Sequence, residues 1–214
     1  MQGLNKNEKF RNAKVFLEKA LPSISNPIRD LEQYNTPSEI ILDMLNHAYI
    51  SNYIQDSTVL DLGSGTCRIA LASLIFGASK AIGLEIDERF FKYCLYGEET
   101  LGLKGRLLII KTYINENLGL IRKDHIDLVI MNPPFGVWNR NADRRFLEYA
   151  FSLNPKRVYS VLKSGNLNFH KTLSNKWGYR LRLLNTREFP IPASMIYHRS
   201  RIRRVKVDVI LFEK

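Results

Sequence analysis

Residues 58–67 read Thr-Val-Leu-Asp-Leu-Gly-Ser-Gly-Thr-Cys, a short apolar strand followed by a glycine-rich loop. Residues 69–76, just after the loop, have the apolar pattern of a helix. Glycines at such a turn let the backbone bend sharply and come close to a ligand. In open α/β sheets, ligands bind outside the carboxyl ends of the strands. This stretch therefore predicts a parallel sheet whose first strand ends in a nucleotide-type binding loop.

Strand-like and helix-like segments alternate along the rest of the chain. The strand-like segments are 80–85, 107–110, 126–131 and 157–162, and the helix-like segments are 88–100, 143–153 and 167–177. Two more strand-like segments, 180–187 and 205–212, follow each other without a helix, which indicates antiparallel pairing. We expect a Rossmann-like α/β fold with a seven-stranded, mostly parallel sheet, an antiparallel final strand and helices on both faces.

The first 57 residues contain two helix-like segments and no strand. Residues 7–21 have apolar positions at helical spacing, and a second helix is expected to begin at Pro37 with Thr36 as its N-cap. No repeat or linker interrupts the chain. We therefore expect a single domain, residues 1–214, with an N-terminal helical extension of about residues 1–57.

The net charge of +11 is unevenly distributed. Between Lys156 and Lys206 there are thirteen Lys and Arg residues and one acid, Glu188, so this part carries +12 and the remainder −1. A localised basic surface is typical of a protein that binds a polyanion. The alternative is a basic face that only contacts solvent.

Nothing in the sequence indicates a membrane span, a secretory signal or a metal site. No apolar stretch approaches the roughly 20 residues of a membrane helix, and residues 1–11 are polar. The two cysteines, Cys67 and Cys94, have neither zinc-ligand spacing nor the pattern of a disulfide framework. We expect a cytoplasmic protein with two reduced thiols.

The glycine loop and the acid after the next strand indicate the kind of cofactor. Glu85 ends the second strand about 20 residues after the loop, where a carboxylate suits a ribose diol. Asp61 would repel a pyrophosphate, and Arg68 occupies a position where the dinucleotide fingerprint needs a small residue. S-adenosylmethionine, which has a sulfonium, an ammonium and a ribose but no phosphate, fits these residues. The alternative is that Asp61 only caps the amides of the loop.

Residues 131–136 read Met-Asn-Pro-Pro-Phe-Gly and follow the apolar run 126–130. Two prolines prevent ladder hydrogen bonds and keep the backbone extended, so Asn132 and Phe135 are held beyond the strand end. The amide oxygen can accept from an exocyclic amine, and the ring can stack on a planar group. The pattern favours a planar amide or an amino heterocycle as the substrate. The alternative is that these residues form only a turn and have no role in binding.

These motifs together resemble a known family. Asp61-x-Gly-x-Gly, Glu85 and residues 132–135 resemble class I S-adenosylmethionine-dependent methyltransferases that act on amino groups. Four stretches, 31–36, 131–136, 159–164 and 192–198, with the basic run and Val-Asp-Val-Ile after them, resemble the small-subunit ribosomal RNA adenine-N6 methyltransferases of archaea and eukaryotes. The resemblance spans roughly residues 28–214.

The resemblance implies a mechanism. The Asn132 side chain and the Pro133 carbonyl would accept from the adenine N6 amine, while Phe135 would stack on the base. No strong base is needed, because the proton leaves late. We also expect no metal. The implied catalytic residues are Asn132, Pro133, Pro134 and Phe135. The implied cofactor-binding residues are Gln33, Tyr34, Thr36, Asp61, Gly63, Gly65, Glu85 and Asn132.

The resemblance and the basic run also imply partners. The residues expected to contact RNA phosphates are Lys163, His198, Arg199, Arg201, Arg203 and Arg204, with Lys156 and Arg157 as further candidates. Pro190 and Pro192 predict that the basic run 198–204 is a loop-like excursion, and the alternative to RNA contact is a soluble hairpin arm. Relatives bind a small zinc-containing activator protein on an edge strand, here Leu107 to Ile110, and we expect the same.

The sequence departs from the family pattern in three places. Cys67 replaces a third glycine, the third strand lacks an acid for the cofactor adenine, and residues 137–139 replace a more polar loop. Two other functions stay open: a glutamine-N5 methyltransferase, which usually has Tyr in place of Phe135 and a separate helical domain, and a non-catalytic RNA-binding module. A DNA methyltransferase would normally add a target-recognition region for which this chain has no room.

Overall fold

Alternating helices and strands build the structure, a computed structural model that describes residues 6–19, 27–114, 119–136, 141–192 and 202–214. The helices are α1 (Lys6–Lys19), α2 (Ser38–Ile50), α3 (Arg68–Phe76), α4 (Phe91–Thr100), α5 (Ala142–Ser152) and α6 (Leu167–Lys176). The strands are β1 (Thr58–Leu62), β2 (Lys80–Glu85), β3 (Leu107–Lys111), β4 (Leu128–Met131), β5 (Arg157–Lys163), β6 (Arg180–Pro192) and β7 (Ile202–Glu213). No helix in these ranges is long and apolar enough to cross a membrane.

The seven strands form one sheet in the order β3-β2-β1-β4-β5-β7-β6. Strands β1 to β5 are parallel, whereas β7 is antiparallel to both β5 and β6. The central strands β1 and β4 are almost fully buried, which is why their sequences are mainly apolar rather than alternating, with Thr58 and Asp61 of β1 as the exceptions. The chain changes direction across the sheet between β1 and β4, which makes this the switch point where ligands bind. The predicted fold class is confirmed.

Two apolar cores cover the two faces of the sheet. On one face, α1 to α4 pack over side chains such as Val59, Ile130 and Val209. On the other face, α5 and α6 pack over side chains such as Leu60 and Val129. Because α1 and α2 share a core with α3 and the sheet, we keep the prediction of one domain with a helical extension of about residues 1–57.

The β6–β7 hairpin is longer than the sequence predicted. Pro190 pairs with Arg204 and Pro192 with Ile202, so the expected loop-like excursion is wrong for residues 202–204, whereas residues 193–201 lie outside the described ranges. A proline has no N–H for a ladder hydrogen bond, but β6 is an edge strand, and prolines are tolerated at sheet edges. Arg203 and Arg204 consequently lie on a strand rather than in a loop.

Candidate active site

A cleft lies at the carboxyl ends of β1, β2, β3 and β4, beside the switch point. Its walls are formed by residues 30–36, by residues 63–66 with Arg68 and Ile69, by residues 84–86 with Phe90, by residues 112–114, and by Asn132, Pro134, Ala142, Arg145 and Phe146. The glycine loop, the acid that ends β2 and the motif after β4 therefore meet in one place, although they are far apart in the sequence.

Glu85 connects the end of β2 to the glycine loop. Its Oε2 accepts a hydrogen bond from Gly65 N over 2.7 Å, and its Oε1 accepts from the N–H groups of Ile86 and Asp87, both over 2.9 Å. Burial raises the pKa of Glu85, and these three backbone donors oppose that shift. Each carboxylate oxygen has two lone pairs and Oε2 has only one donor, so the side chain can still accept from one hydroxyl of a ribose.

The backbone of the loop is left-handed at both ends. Gly63 has a φ of +70°, and a Cβ there would lie 3.1 Å from Cε1 of Phe146, so both conformation and space favour glycine. Cys67 has a φ of +59°, which is uncommon for a residue with a Cβ. The loop therefore keeps the turn that a third glycine would allow, although Cys67 replaces it.

Cys67 and Cys94 form a disulfide, with their Cα atoms 5.2 Å apart. The expectation of two reduced thiols is wrong for this structure. The residues are 27 positions apart, so their spacing gave no signal. They meet because α3 and α4 lie on the same face of the sheet, where both side chains are fully buried. Within the described ranges, no group of three or more His, Cys, Asp or Glu side chains could hold a metal ion.

Asp61 lies beneath the loop and does not line the cleft. It is 1% exposed, and its Oδ2 accepts from the backbone N–H of Ala70 in the first turn of α3 over 3.1 Å. Its Oδ1 has no hydrogen-bond partner among the described residues. Burial raises the pKa of Asp61 to about 8, and the charge of Glu85 adds to this effect. Its predicted contact with the cofactor stays a prediction.

The segment before α2 forms one wall of the cleft and includes Gln33, Tyr34 and Thr36. Gln33 Nε2 donates to Asp87 Oδ2 over 2.9 Å, which attaches the segment to the turn after β2. Tyr34 packs edge-on against Phe189 of β6, with ring centroids 6.4 Å apart. Thr36 is not a helix cap, because α2 begins after Pro37 without a side-chain cap.

Asn132 lies at the surface of the cleft, whereas Phe135 is buried behind it. Asn132 lines the cleft; its Nδ2 donates to Thr36 Oγ1 over 2.9 Å, and its buried Oδ1 has no partner among the described side chains and backbone. Phe135 is 8% exposed and packs edge-on against Phe189, with ring centroids 5.1 Å apart. Pro134 lines the cleft, whereas Pro133 and Phe135 do not. Base stacking by Phe135 stays a prediction.

Only part of the predicted RNA surface is described. Lys163 is exposed at the carboxyl end of β5, and Arg204 is exposed and paired with Glu188 over 3.1 Å. His198, Arg199 and Arg201 lie outside the described residues, and Arg203 is described only as part of β7. The further candidates Lys156 and Arg157 lie at the opposite end of the sheet, and Arg157 covers the Tyr53 ring at 3.3 Å.

Sequence reasoning missed several cleft residues. Thr112, Tyr113 and Ile114 form the wall after β3, where no acid was found for the cofactor adenine. The strand-end rule could have located them, since they directly follow Lys111. Arg68 and Arg145 bring two cations into the cleft, and Arg68 Nε is buried without a partner within the described part of the chain. Their side chains reach the cleft only through the packing of α3 and α5, which the sequence does not reveal.

The fold and the cleft define a class I, Rossmann-like methyltransferase, with a glycine loop, a strand-end acid and an Asn-Pro-Pro-Phe motif at the switch point. The chain belongs to the family described as conserved hypothetical protein 95, whose profile matches residues 39–176.

Individual relatives are similar over nearly the whole chain. The rRNA N(6)-adenosine-methyltransferase Mettl5 of Drosophila melanogaster is 28% identical, with 96% of each chain covered. An uncharacterized protein of Methanocaldococcus jannaschii is 30% identical, with 94% of each chain covered. The crystal structure of a "putative RNA methyltransferase" from Pyrococcus horikoshii is 29% identical, with a TM-score of 0.85 and coverage of 99% of this chain and 98% of that one. These relatives confirm the resemblance drawn from the motifs.

Proposed function

We propose that this protein transfers a methyl group from S-adenosylmethionine to N6 of an adenosine in RNA, specifically in small-subunit ribosomal RNA. The observation that carries the proposal is the Asn132 amide: its buried oxygen has no partner in the described structure and belongs to a residue that lines the cleft. A buried acceptor of this kind suits an exocyclic amine. The similar relatives include rRNA N(6)-adenosine-methyltransferases from several animals.

The residues of the cleft fit S-adenosylmethionine. Arg68 Nε, a buried donor without a partner in the described residues, would be satisfied by the carboxylate of the methionine part. Glu85 would accept from a ribose hydroxyl through Oε2. The wall formed by Ile86, Phe90 and residues 112–114 would contact the adenine. Once bound, this cofactor supplies an electrophilic methyl group on its sulfonium.

The protein's part in the reaction is mainly alignment. Asn132 Oδ1 and the Pro133 carbonyl would accept from the two N6 hydrogens and so direct the nitrogen lone pair into the cleft. Phe189 supports Phe135, on which the base would stack after leaving any pairing partner. Glu32, an acid in contact with the motif, accepts from Phe135 N and so supports the backbone of the motif. No strong base is required. The proton leaves after the nitrogen has become cationic.

RNA would approach the end of the sheet where the cleft opens. This end carries three exposed cations, Lys163, Arg204 and Lys206. The last two lie here because β7 runs antiparallel to β5 and begins at this end. With His198, Arg199, Arg201 and Arg203 they would contact phosphates and give affinity without sequence choice. A ribosomal RNA substrate also agrees with the cytoplasmic location expected from the sequence.

A protein partner on β3 is part of the proposal. Among the described strands, β3 is an edge strand that pairs with β2 alone, and Leu108 on it is 54% exposed. An apolar edge of this kind invites pairing with another chain. The partner would be a small zinc-binding activator protein. Leu108→Asp should reduce copurification of such a protein, detected by mass spectrometry and zinc content, and equal copurification would contradict the proposal.

Mass spectrometry of nucleosides tests the function. Small-subunit RNA incubated with the protein and labelled S-adenosylmethionine should yield labelled N6-methyladenosine. Asn132→Ala should reduce transfer to a small residual rate but retain RNA binding. Labelled glutamine in protein would instead identify a glutamine-N5 methyltransferase. RNA binding without transfer by the wild type would indicate a binding module.

A further inference from the structure

Two side chains from the segment before α2 contact the motif that would hold the target base. Thr36 Oγ1 accepts from Asn132 Nδ2 over 2.9 Å, and Glu32 Oε2 accepts from Phe135 N over 2.6 Å. Both residues are 7% exposed. We propose that Thr36 and Glu32 are positioning residues for methyl transfer: they fix the Asn132 amide and the backbone of the motif. This inference rests on the proposed function.

The Thr36 hydroxyl binds the nitrogen end of the Asn132 amide and leaves the oxygen end for the substrate. A carboxamide has one accepting end and one donating end, and rotation by half a turn exchanges them. With Nδ2 held by Thr36, the oxygen is the end without a partner in the described structure. An amine that donates two hydrogens needs this orientation, because the reversed amide would present a second donor to it.

Glu32 binds the first backbone N–H group that is available in the motif after Asn132. Pro133 and Pro134 have no N–H, so the first backbone donor after Asn132 is the N–H of Phe135. This group donates to the Glu32 carboxylate in a charge-assisted hydrogen bond. Glu32 has a φ of +49°, a conformation that residues with a Cβ keep only where several contacts enforce it.

The same segment also contacts the cofactor side of the cleft. Gln33 Nε2 donates to Asp87 Oδ2 after β2, while Glu32 and Thr36 contact the motif after β4. Five consecutive residues, 32–36, therefore connect the two halves of the site across the switch point. Because Thr36 also lines the cleft and is among the residues expected to bind the cofactor, its test has to separate the orientation of the amide from the affinity for the cofactor.

Thr36→Val removes the hydroxyl at nearly constant volume and gives a sharp test. We expect kcat to fall by roughly tenfold to a hundredfold, the effect of misorienting a reacting group, while the affinity for S-adenosylmethionine measured by calorimetry stays unchanged. Thr36→Ser should restore most of the rate. Ser38→Ala is the matched control, because this nearby buried hydroxyl contacts Glu18 at 3.2 Å, outside the cleft. It should have the wild-type rate.

Variants of Glu32 and a double variant of Thr36 and Asn132 complete the test. Glu32→Met should lower kcat, whereas Glu32→Gln, which keeps an acceptor, should lower it less. If Thr36 acts through Asn132, then adding Thr36→Val to Asn132→Ala should cause no further loss. The side-chain amide protons of Asn132 should exchange with solvent faster in Thr36→Val than in the wild type, a readout by NMR that needs no turnover.

The outcomes separate the two proposals. Full activity and unchanged amide exchange in Thr36→Val would overturn the positioning role and leave the enzyme function intact. A parallel loss of cofactor affinity would assign Thr36 to the cofactor site instead. No methyl transfer by the wild type would overturn the function, while the exchange measurement would still report whether Thr36 holds the amide.

Discussion

A disulfide joins Cys67, at the end of the glycine loop, to Cys94 in α4. Reduction should lower the free energy of unfolding by about 3.5 kcal/mol, the chain-entropy value for a closed loop of this length. Denaturant titrations with and without a reducing agent measure the difference. Cys94→Ala is the control, since its stability should not respond to the reducing agent. Equal midpoints for the oxidised and reduced wild type would contradict this prediction.

Asp61 should make stability fall as the pH rises. Burial raises its pKa to about 8 in the folded protein, so between the ordinary pKa of an aspartate, about 4, and this value the folded state binds more protons than the unfolded state. The stabilisation that comes from the proton on Asp61 is thus complete below pH 4 and is lost as the pH approaches 8. Asp61→Asn should have a shallower decline in melting temperature between pH 5 and about 8.

The pH dependence of the melting temperature can also contradict the prediction for Asp61. Glu85, whose pKa burial also raises, should leave some pH dependence in the Asp61→Asn variant. If both proteins lose the same number of degrees across this range, Asp61 ionises normally in the fold.

Arg68 should recognise the carboxylate of the cofactor. A hydrogen bond to a charged group contributes about 1.5–3 kcal/mol, so Arg68→Met should weaken binding of S-adenosylmethionine by roughly tenfold to a hundredfold. Decarboxylated S-adenosylmethionine should bind the wild type and the variant equally in a calorimetric titration. Lys80→Met, an exposed cation at the amino end of β2, is the matched control. If Arg68→Met weakens the binding of both S-adenosylmethionine and its decarboxylated form to the same extent, the effect of the substitution is structural.

The basic residues at the cleft end should determine the salt dependence of RNA binding. Combined Lys163→Ala, Arg203→Ala and Arg204→Ala should weaken binding to single-stranded RNA. The slope of log affinity against log salt should fall by about 0.7 for each phosphate that the variant no longer neutralises. The control removes Lys156, Lys176 and Lys214, which are exposed at the other end of the sheet. Equal slopes for the two triple variants would assign the binding to overall charge.

Local patterns in the sequence were sufficient for most elements of the fold. β1 and β2 begin and end at the predicted residues, because each is a mainly apolar segment between polar or glycine-rich turns. The strand-end rule then grouped the glycine loop, Glu85 and Asn132 at one edge of the sheet. The hairpin was predicted too short, since a proline normally ends a strand and the sequence does not show which strand lies at the edge.

The sequence by itself determined the class of reaction, because the glycine loop, the acid after β2 and the Asn-Pro-Pro-Phe motif each carry their chemistry in adjacent residues. Contacts between distant segments were decided only by the tertiary structure. The Cys67–Cys94 disulfide, the Arg68 side chain in the cleft and the hydrogen bond of Thr36 to Asn132 all depend on how helices pack on the sheet. Thr36 illustrates the difference: its local pattern indicates a helix cap, but its burial beside the end of β4 directs its hydroxyl to the amide of Asn132 instead.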